Sequence, residues 1–174
     1  MKRPMLAIVL VLAACSVGVA AAERLQGREA PVPAGEINSR LPPFSVRDLR
    51  GHTISSADFR GKVVLVDFWA TWCEPCKKEM PAYQRLADRY GPQGLVVIGF
   101  KMTDMPDTEN PARFAHRIGV RYPLAVASIE LIKEFGGIEG LPTTLLYDRQ
   151  GKLVKKVIGF EYSEAFEAAV KAAL

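Results

Sequence analysis

Cys73 and Cys76 stand two residues apart in Trp72-Cys73-Glu74-Pro75-Cys76, a spacing at which two thiols can close a small disulfide ring or open into a dithiol with little backbone movement. The pair directly follows an apolar run and opens a helical pattern. At a helix N-terminus Cys73 lies in the positive end of the peptide dipole among unpaired N–H groups, so its thiolate is favoured and it can attack a foreign disulfide. Cys76, one turn inside and more buried, would then break the mixed disulfide. Other uses of the spacing fit less well. A zinc knuckle needs a second ligand pair, and the chain offers three cysteines and two distant histidines, His52 and His116, which read as surface residues. Haem attachment needs a histidine after the second cysteine, where this chain has Lys77. A purely structural bridge across so small a ring would add comparatively little stability. No metal and no cofactor are therefore expected.

Two carboxylates could move the proton that thiol exchange requires. Asp67 is the only charge between Val63 and Ala70, and an isolated buried carboxylate is costly enough to stay partly protonated. Such a group can pass a proton to or from Cys76; the competing use is a simple ion pair with a lysine such as Lys101. Glu79 lies three residues past Cys76 on the same helical face and offers a second proton route, its competing use being that of a solvated helix residue. Trp72 would shield the thiols and, with Glu74 and Pro75, meet a partner peptide, whereas Trp69 reads as core. Pro142 follows Leu141 and precedes a β-run that opens at Thr143. A cis bond there would leave the Leu141 backbone free to pair with an extended substrate beside the cysteines; a trans turn is the alternative.

The elements that must position these groups alternate in type. Phe44 to Val46 is a short strand candidate, Asp48 to His52 a turn, and Ser55 to Phe59 a one-turn helix with a serine cap. Val63 to Trp69 is apolar on both faces but for Asp67, as a covered central strand should be. Pro75 to Tyr90 reads as a helix, with Met80, Tyr83, Leu86 and Ala87 at helical spacing and Pro81 predicting a kink. Leu95 to Phe100 is the next buried strand, completing a parallel crossover. After the loop Met102 to Asn110 come a helix at Pro111 to Arg117, an extended piece at Tyr122 to Val126, and a helix from Ser128 through Phe135 that stops at Gly136-Gly137. Thr143 to Tyr147 and Leu153 to Ile158 form a hairpin through Arg149-Gln150-Gly151, and Ser163 caps a last helix. The expected fold is an α/β sandwich with a mixed sheet.

Length and composition set the outer limits. With 174 residues, 49% of them hydrophobic, the chain can bury one sizeable core but hardly two domains. Lys2 and Arg3 supply two of its 23 basic residues and the first 22 residues hold no acid, so the remainder carries 21 bases against 19 acids. That balance excludes a nucleic-acid footprint. Residues 1–22 read as an address: a basic start, the apolar run Met5 to Ala14, and mostly small residues to Ala22. Three routes fit: cleavage after Ala20-Ala21-Ala22, lipidation of Cys15 in the lipobox-like Leu12-Ala13-Ala14-Cys15, or retention as a membrane anchor. All three place the domain outside the cytoplasm. Residues 23–43, with four prolines and no periodicity, read as a linker, leaving 44–174 as the domain.

The stretch from Gly61-Lys62-Val63-Val64 through Trp72-Cys73-Glu74-Pro75-Cys76-Lys77-Lys78-Glu79-Met80-Pro81 resembles the extracytoplasmic thioredoxin-like proteins that include TlpA, ResA and CcmG. The likeness continues in Gly140-Leu141-Pro142-Thr143-Thr144, similar to that group's cis-proline loop, and in the extension Phe44 to Phe59. It implies a thioredoxin-like three-layer sandwich, a mixed central sheet flanked by helices, with this N-terminal extension and a central insertion containing the helix at Pro111. It also implies reduction of disulfides in exported proteins, commonly apocytochrome c, and a membrane electron donor of the DsbD or CcdA type. Glu79 resembles the acid that lines the cavity of ResA-like reductases. Asp67 matches ordinary thioredoxins, whereas many ResA-like members carry a neutral residue there. Copper chaperones of this fold space their cysteines more widely and add a histidine; a non-catalytic binding module stays open by motif alone. Peroxiredoxin chemistry is disfavoured, because Val66 and Ala70 stand where that family places Pro and Thr.

Overall fold

Strand β3, Val63–Trp69, explains the rest of the architecture because none of its seven residues meets solvent. β-branched and aromatic side chains suit a pleated strand covered on both faces, and the strand lies at the centre of a five-stranded sheet of order β5-β4-β3-β6-β7. Beside it run β4, Leu95–Lys101, in parallel, and β6, Thr143–Tyr147, antiparallel. β5, Leu124–Val126, pairs in parallel with β4, and β7, Leu153–Ile158, antiparallel with β6. The computed structural model describes residues 39–103 and 105–174, all within the unit spanning residues 35–174. The candidate address segment with Cys15, and most of the stretch read as linker, lie outside the described residues. Among the described residues no helix is long and apolar enough to cross a membrane.

Alternation along β3 divides the core in two. Val63, Leu65 and Trp69 pack with helices α1 (Glu74–Tyr90), α2 (Pro111–Arg117) and α4 (Glu164–Ala173). Val64, Val66 and Phe68 face the opposite layer, where Phe44, the 3₁₀ turn Ser56–Phe59 and helix α3 (Ile129–Glu134) with Phe135 cover the sheet. Asp67 shares the parity of Leu65 and Trp69, so the strand itself delivers its carboxylate into the α1 layer. The result is the expected three-layer sandwich with a mixed sheet. α1 is continuous through Pro81, and its Met80, Tyr83 and Leu86 are buried as the spacing required. α2 matches the sequence reading to the residue and α3 ends one residue before the Phe135 expected, each with its side-chain cap, Asn110 and Ser128.

The N-terminal end differs from the sequence reading in one element. Beyond strand β1, Ser45–Arg47, the turn at Asp48 leads back into a second strand, β2, Thr53–Ser55, before the 3₁₀ turn. Three residues of mixed polarity carry too little pattern to be read as a strand; what defines β2 is its partner and the Asp48 carboxylate, which accepts the backbone N–H of Arg50 and His52. Within the stretch 23–43, Leu41 N–H donates to Gly151 O and Leu153 N–H to Ser39 O, both at 2.8 Å, so attachment to the sheet begins before Phe44. Phe44 then anchors the hairpin against Phe59, Phe100 and Phe135, with ring centroids 5.4–6.1 Å apart. Phe44→Ala should therefore lower stability by about 3–4 kcal/mol in denaturant unfolding. A loss below about 1 kcal/mol would show the hairpin to be dispensable to this layer.

Candidate active site

The end of β3 and the start of α1 place the cysteines. Cys73 is the N-cap of α1, with extended backbone, and Pro75 sits in the first turn, where its missing N–H costs nothing. The free Cys76 N–H points back at Cys73 Sγ, 3.2 Å away. The two sulfurs are joined in a disulfide with Cα atoms 5.3 Å apart. Cys76 is fully buried and Cys73 is 3% exposed, so an incoming disulfide can approach only the first sulfur. In the dithiol state the same N–H and the dipole of the 17-residue helix would hold charge on Cys73. Glu74 and Pro75 are exposed between them, and Glu74 pairs with Lys77 at the surface.

Beneath the disulfide lies a buried acidic layer. Cys76, Glu79, Met80 and Tyr83 recur at helical spacing and all are buried toward the sheet. Glu79 is not a solvated helix residue: Thr144 Oγ1 donates to its Oε1 at 2.8 Å, and the Glu161 N–H to its Oε2 at 3.3 Å. With Glu79 ionised the single Thr144 proton is committed to it, so the Tyr83 hydroxyl, 2.8 Å from Thr144 Oγ1, donates in turn. Asp67 is poorer in partners. Its Oδ2 faces the Tyr122 hydroxyl at 3.4 Å and its Oδ1 has none among the described residues. The expected alternative, an ion pair with Lys101, does not occur, because Lys101 Nζ meets both oxygens of Asp107 at 2.8 Å. Burial raises the Asp67 carboxyl well above its usual range and the Glu79 charge raises it further, with Tyr122 opposing. Burial also raises Glu79, against the lowering effect of Tyr83, Thr144 and the Glu161 N–H. Glu79, with more hydrogen-bond donors, thus carries charge more readily, and Asp67 is the acid held more strongly toward its protonated form.

The rim of the site comes from three loops. Leu141–Pro142 is a cis peptide, and neither Leu141 backbone group is hydrogen-bonded within the described residues. Pro142 O accepts the Gly159 N–H at 2.8 Å. Thr143 turns inward, its hydroxyl donating to Gly140 O at 2.7 Å, so it closes the loop rather than lining an opening. Trp72 is half-buried with an unpartnered indole N–H; Trp69 is core, stacked on Phe114. A tie absent from the sequence reading secures the residue before Trp72. Thr71 Oγ1 donates to Asp107 and accepts the Thr108 N–H, both at 3.0 Å, so the Lys101–Asp107 pair pins the loop after β4 against the cysteine turn.

Tyr83, Thr144, Tyr122 and Asp107 were the partners that sequence reasoning missed. Only Tyr83 left a local signal, seven residues from Cys76 and four from Glu79 on one helix face. His52 is exposed beside Asp48 and His116 is exposed on α2, both away from the cysteines. Among the described residues no three His, Cys, Asp or Glu side chains gather to hold a metal ion.

Comparison with known proteins adds the following. Residues 37–156 match the model of the AhpC/TSA family. The thiol-disulfide oxidoreductase ResA of Bacillus thuringiensis (strain Al Hakam) is 35% identical over 137 residues, covering 78% of each chain. ResA of Geobacillus thermodenitrificans (strain NG80-2) is 36% identical over 122 residues, 70% of this chain and 68% of that protein. The solved structure of a thiol:disulfide interchange protein of the thioredoxin family from Chlorobium tepidum TLS superposes with a TM-score of 0.71 at 31% identity, covering 78% of this chain and 95% of that one.

The acidic layer makes a stability prediction with a definite sign. Asp67 binds its proton more tightly folded than unfolded, so its stabilising contribution is full below the ordinary carboxylate range and is lost as pH rises through the folded value. Asp67→Asn should match the parent protein in urea unfolding near pH 4 and exceed it increasingly toward pH 8. An offset equal at both pH values would contradict a buried, protonated Asp67.

Proposed function

The chain belongs to the AhpC/TSA family and is a thiol-disulfide oxidoreductase of the ResA type with a Cys73–Cys76 pair, and we propose that it reduces disulfides in exported proteins outside the cytoplasm, apocytochrome c among them. The observation that carries the chemistry is one arrangement: a disulfide at a helix N-terminus, its outer sulfur the less buried of the two and its inner sulfur on the helix face shared with Glu79, above a strand that aims Asp67 into the same layer. In the reducing direction the Cys73 thiolate attacks a substrate disulfide and one substrate sulfur leaves. The substrate chain lies against the free backbone of Leu141, beside the cis-Pro142 loop, in the manner of an added strand. When Asp67 is ionised it takes the proton of Cys76, whose sulfur attacks Cys73 Sγ, releasing the second substrate sulfur as a thiolate that takes up a proton from solvent. Glu79 is the second acid of the layer.

The surroundings suit an unfolded protein substrate. β3, β4, β5 and β7 all end at the side of the sheet that bears the cysteines, and four of the exposed large apolar residues, Val126, Ile129, Ile158 and Phe160, lie at or just past those ends. Trp72 adds a partly exposed ring. Family membership does not bring peroxidase chemistry with it, since Val66 and Ala70 are buried apolar side chains where a peroxidatic pocket needs Pro and Thr. The location rests on residues 1–22 and the resemblance, as does a membrane donor of the DsbD or CcdA type that would return Cys73–Cys76 to the dithiol.

Trapping tests the roles and the substrate together. Cys76→Ser removes the thiol that cleaves the mixed disulfide, so this variant expressed in its own cell envelope should accumulate covalent adducts, and Cys73→Ser few or none. Mass spectrometry of the adducts should return apocytochrome c peptides with a C-x-x-C-H site. Equal adduct yields from the two variants would overturn the assigned roles. A broad population of unrelated exported proteins would replace the dedicated reductase with a general disulfide reductase or isomerase.

A further inference from the structure

Asp67 is served from an unexpected direction. The register places Gly99 of β4 beside it on one side and Thr144 of β6 on the other. Thr144 is committed to Glu79, and Gly99 has no side chain to offer. None would fit: a Cβ there would lie 2.5 Å from Leu124 Cδ2 and 3.0 Å from Trp69 Nε1. Lys101, two residues on, is turned to Asp107. The one donor that reaches Asp67 among the described residues is the Tyr122 hydroxyl, from the segment that leads into β5.

Tyr122 is fixed by the helix that carries Cys76. Gln84 Oε1 of α1 accepts the backbone N–H of Arg121 at 2.6 Å and of Tyr122 at 3.0 Å. Gln84 Nε2 donates to Asp88 Oδ1, and both Asp88 oxygens receive the Arg121 guanidinium, all at 2.8 Å. One turn and a half of α1 thus brackets Arg121-Tyr122 and directs the buried tyrosine under the sheet face toward Asp67. The two Asp67 oxygens are left with different tasks: Oδ2 takes the tyrosine hydrogen bond and Oδ1 is open to a transferred proton.

We propose that Tyr122 is a positioning residue for the resolving step, its hydroxyl stabilising the Asp67 carboxylate and so setting the pH at which Asp67 can accept the proton of Cys76. The inference rests on the reading of Asp67 as that acceptor. The step balances as follows: the Cys76 proton passes to Asp67, the Cys76 sulfur bonds to Cys73 Sγ, and the bond from Cys73 to the substrate breaks. The substrate sulfur leaves as a thiolate and is protonated by solvent; the substrate disulfide is reduced and the protein dithiol oxidised. Glu79 and Tyr83 of α1 face Asp67 as well, and the Glu79 charge works against its ionisation while Tyr122 favours it.

Tyr122→Phe removes the hydroxyl and keeps the ring. With aspartate labelled by ¹³C, the Asp67 carboxyl signal of the disulfide form should titrate at higher pH in the variant than in the parent protein. Resolution of a preformed mixed disulfide should slow about three- to tenfold at pH 7 and recover as pH rises, the effect of losing one long hydrogen bond of ordinary net strength. Gln84→Leu, which frees the bracket but keeps the hydroxyl, should shift both readouts the same way by less. An unmoved Asp67 titration in both variants overturns the proposal, as does slowing that is equal at every pH, the mark of a merely structural loss. A raised titration with unaltered resolution overturns instead the acceptor role of Asp67.

Discussion

A carboxylate on a central strand with no exposed surface is the constraint around which this molecule is arranged. Asp67 must be neutral or be given donors, and every element that touches it limits how. β4 passes it with Gly99, because Leu124 and Trp69 fill the space a side chain would need. β6 passes it with Thr144, whose proton goes to Glu79. α1 faces it with Glu79 and Tyr83, adding a second acid rather than a counter-ion. Among the described residues no cation pairs with Asp67 or Glu79, Lys101 and Lys155 being turned to Asp107 and Glu161, and this suits a site that moves protons, since a close lysine would lock Asp67 in its charged form.

The placement of the redox pair follows from the same arrangement. β3, β4, β5 and β7 end on one side of the sheet, and the turn from β3 into α1 sets Cys73 at the point where a 17-residue helix presents its free N–H groups. Charge on Cys73 is stabilised by backbone, and protons at Cys76 are handled by side chains one layer down. Lys101, Asp107 and Thr71 hold the adjacent loop against the cysteine turn, so the mouth of the site is shaped by a partly buried ion pair on the strand neighbouring Asp67. Tyr122 and Asp107 both come from the stretch between β4 and β5, which therefore serves the chemistry as well as the sheet edge.

Much of this was legible in sequence because it is local. The Cys73–Cys76 spacing, the helix start beside Cys73, the period of Met80, Tyr83 and Leu86, and the single charge in Val63–Trp69 all fall within one or two turns of chain. What stayed hidden depends on pairing across the fold. Thr144 meets Glu79 across 65 residues and Tyr122 meets Asp67 across 55, and no local pattern marks such contacts. Lys101 shows the same limit from the other side. Its parity places it on the Asp67 face, which made an ion pair plausible, but Asp107 six residues later is nearer and takes its charge. β2 escaped because three residues cannot display a period; only its register with β1 defines it.

The account stands most directly on the claim that the buried acids exchange protons with the thiol pair. The measurement that tests it is the reduction potential of the Cys73–Cys76 couple as a function of pH, in the parent protein and in Asp67→Asn/Glu79→Gln, by equilibration with a reference thiol couple. Two electrons and two protons alone give a straight line of about 59 mV per pH unit below the thiol range. If Asp67 and Glu79 bind protons differently above a disulfide and above a dithiol, the parent line must bend where they titrate and the double variant must straighten it. Superimposable straight lines for the two proteins would show that the acids are blind to the redox state of the cysteines, and would contradict the account.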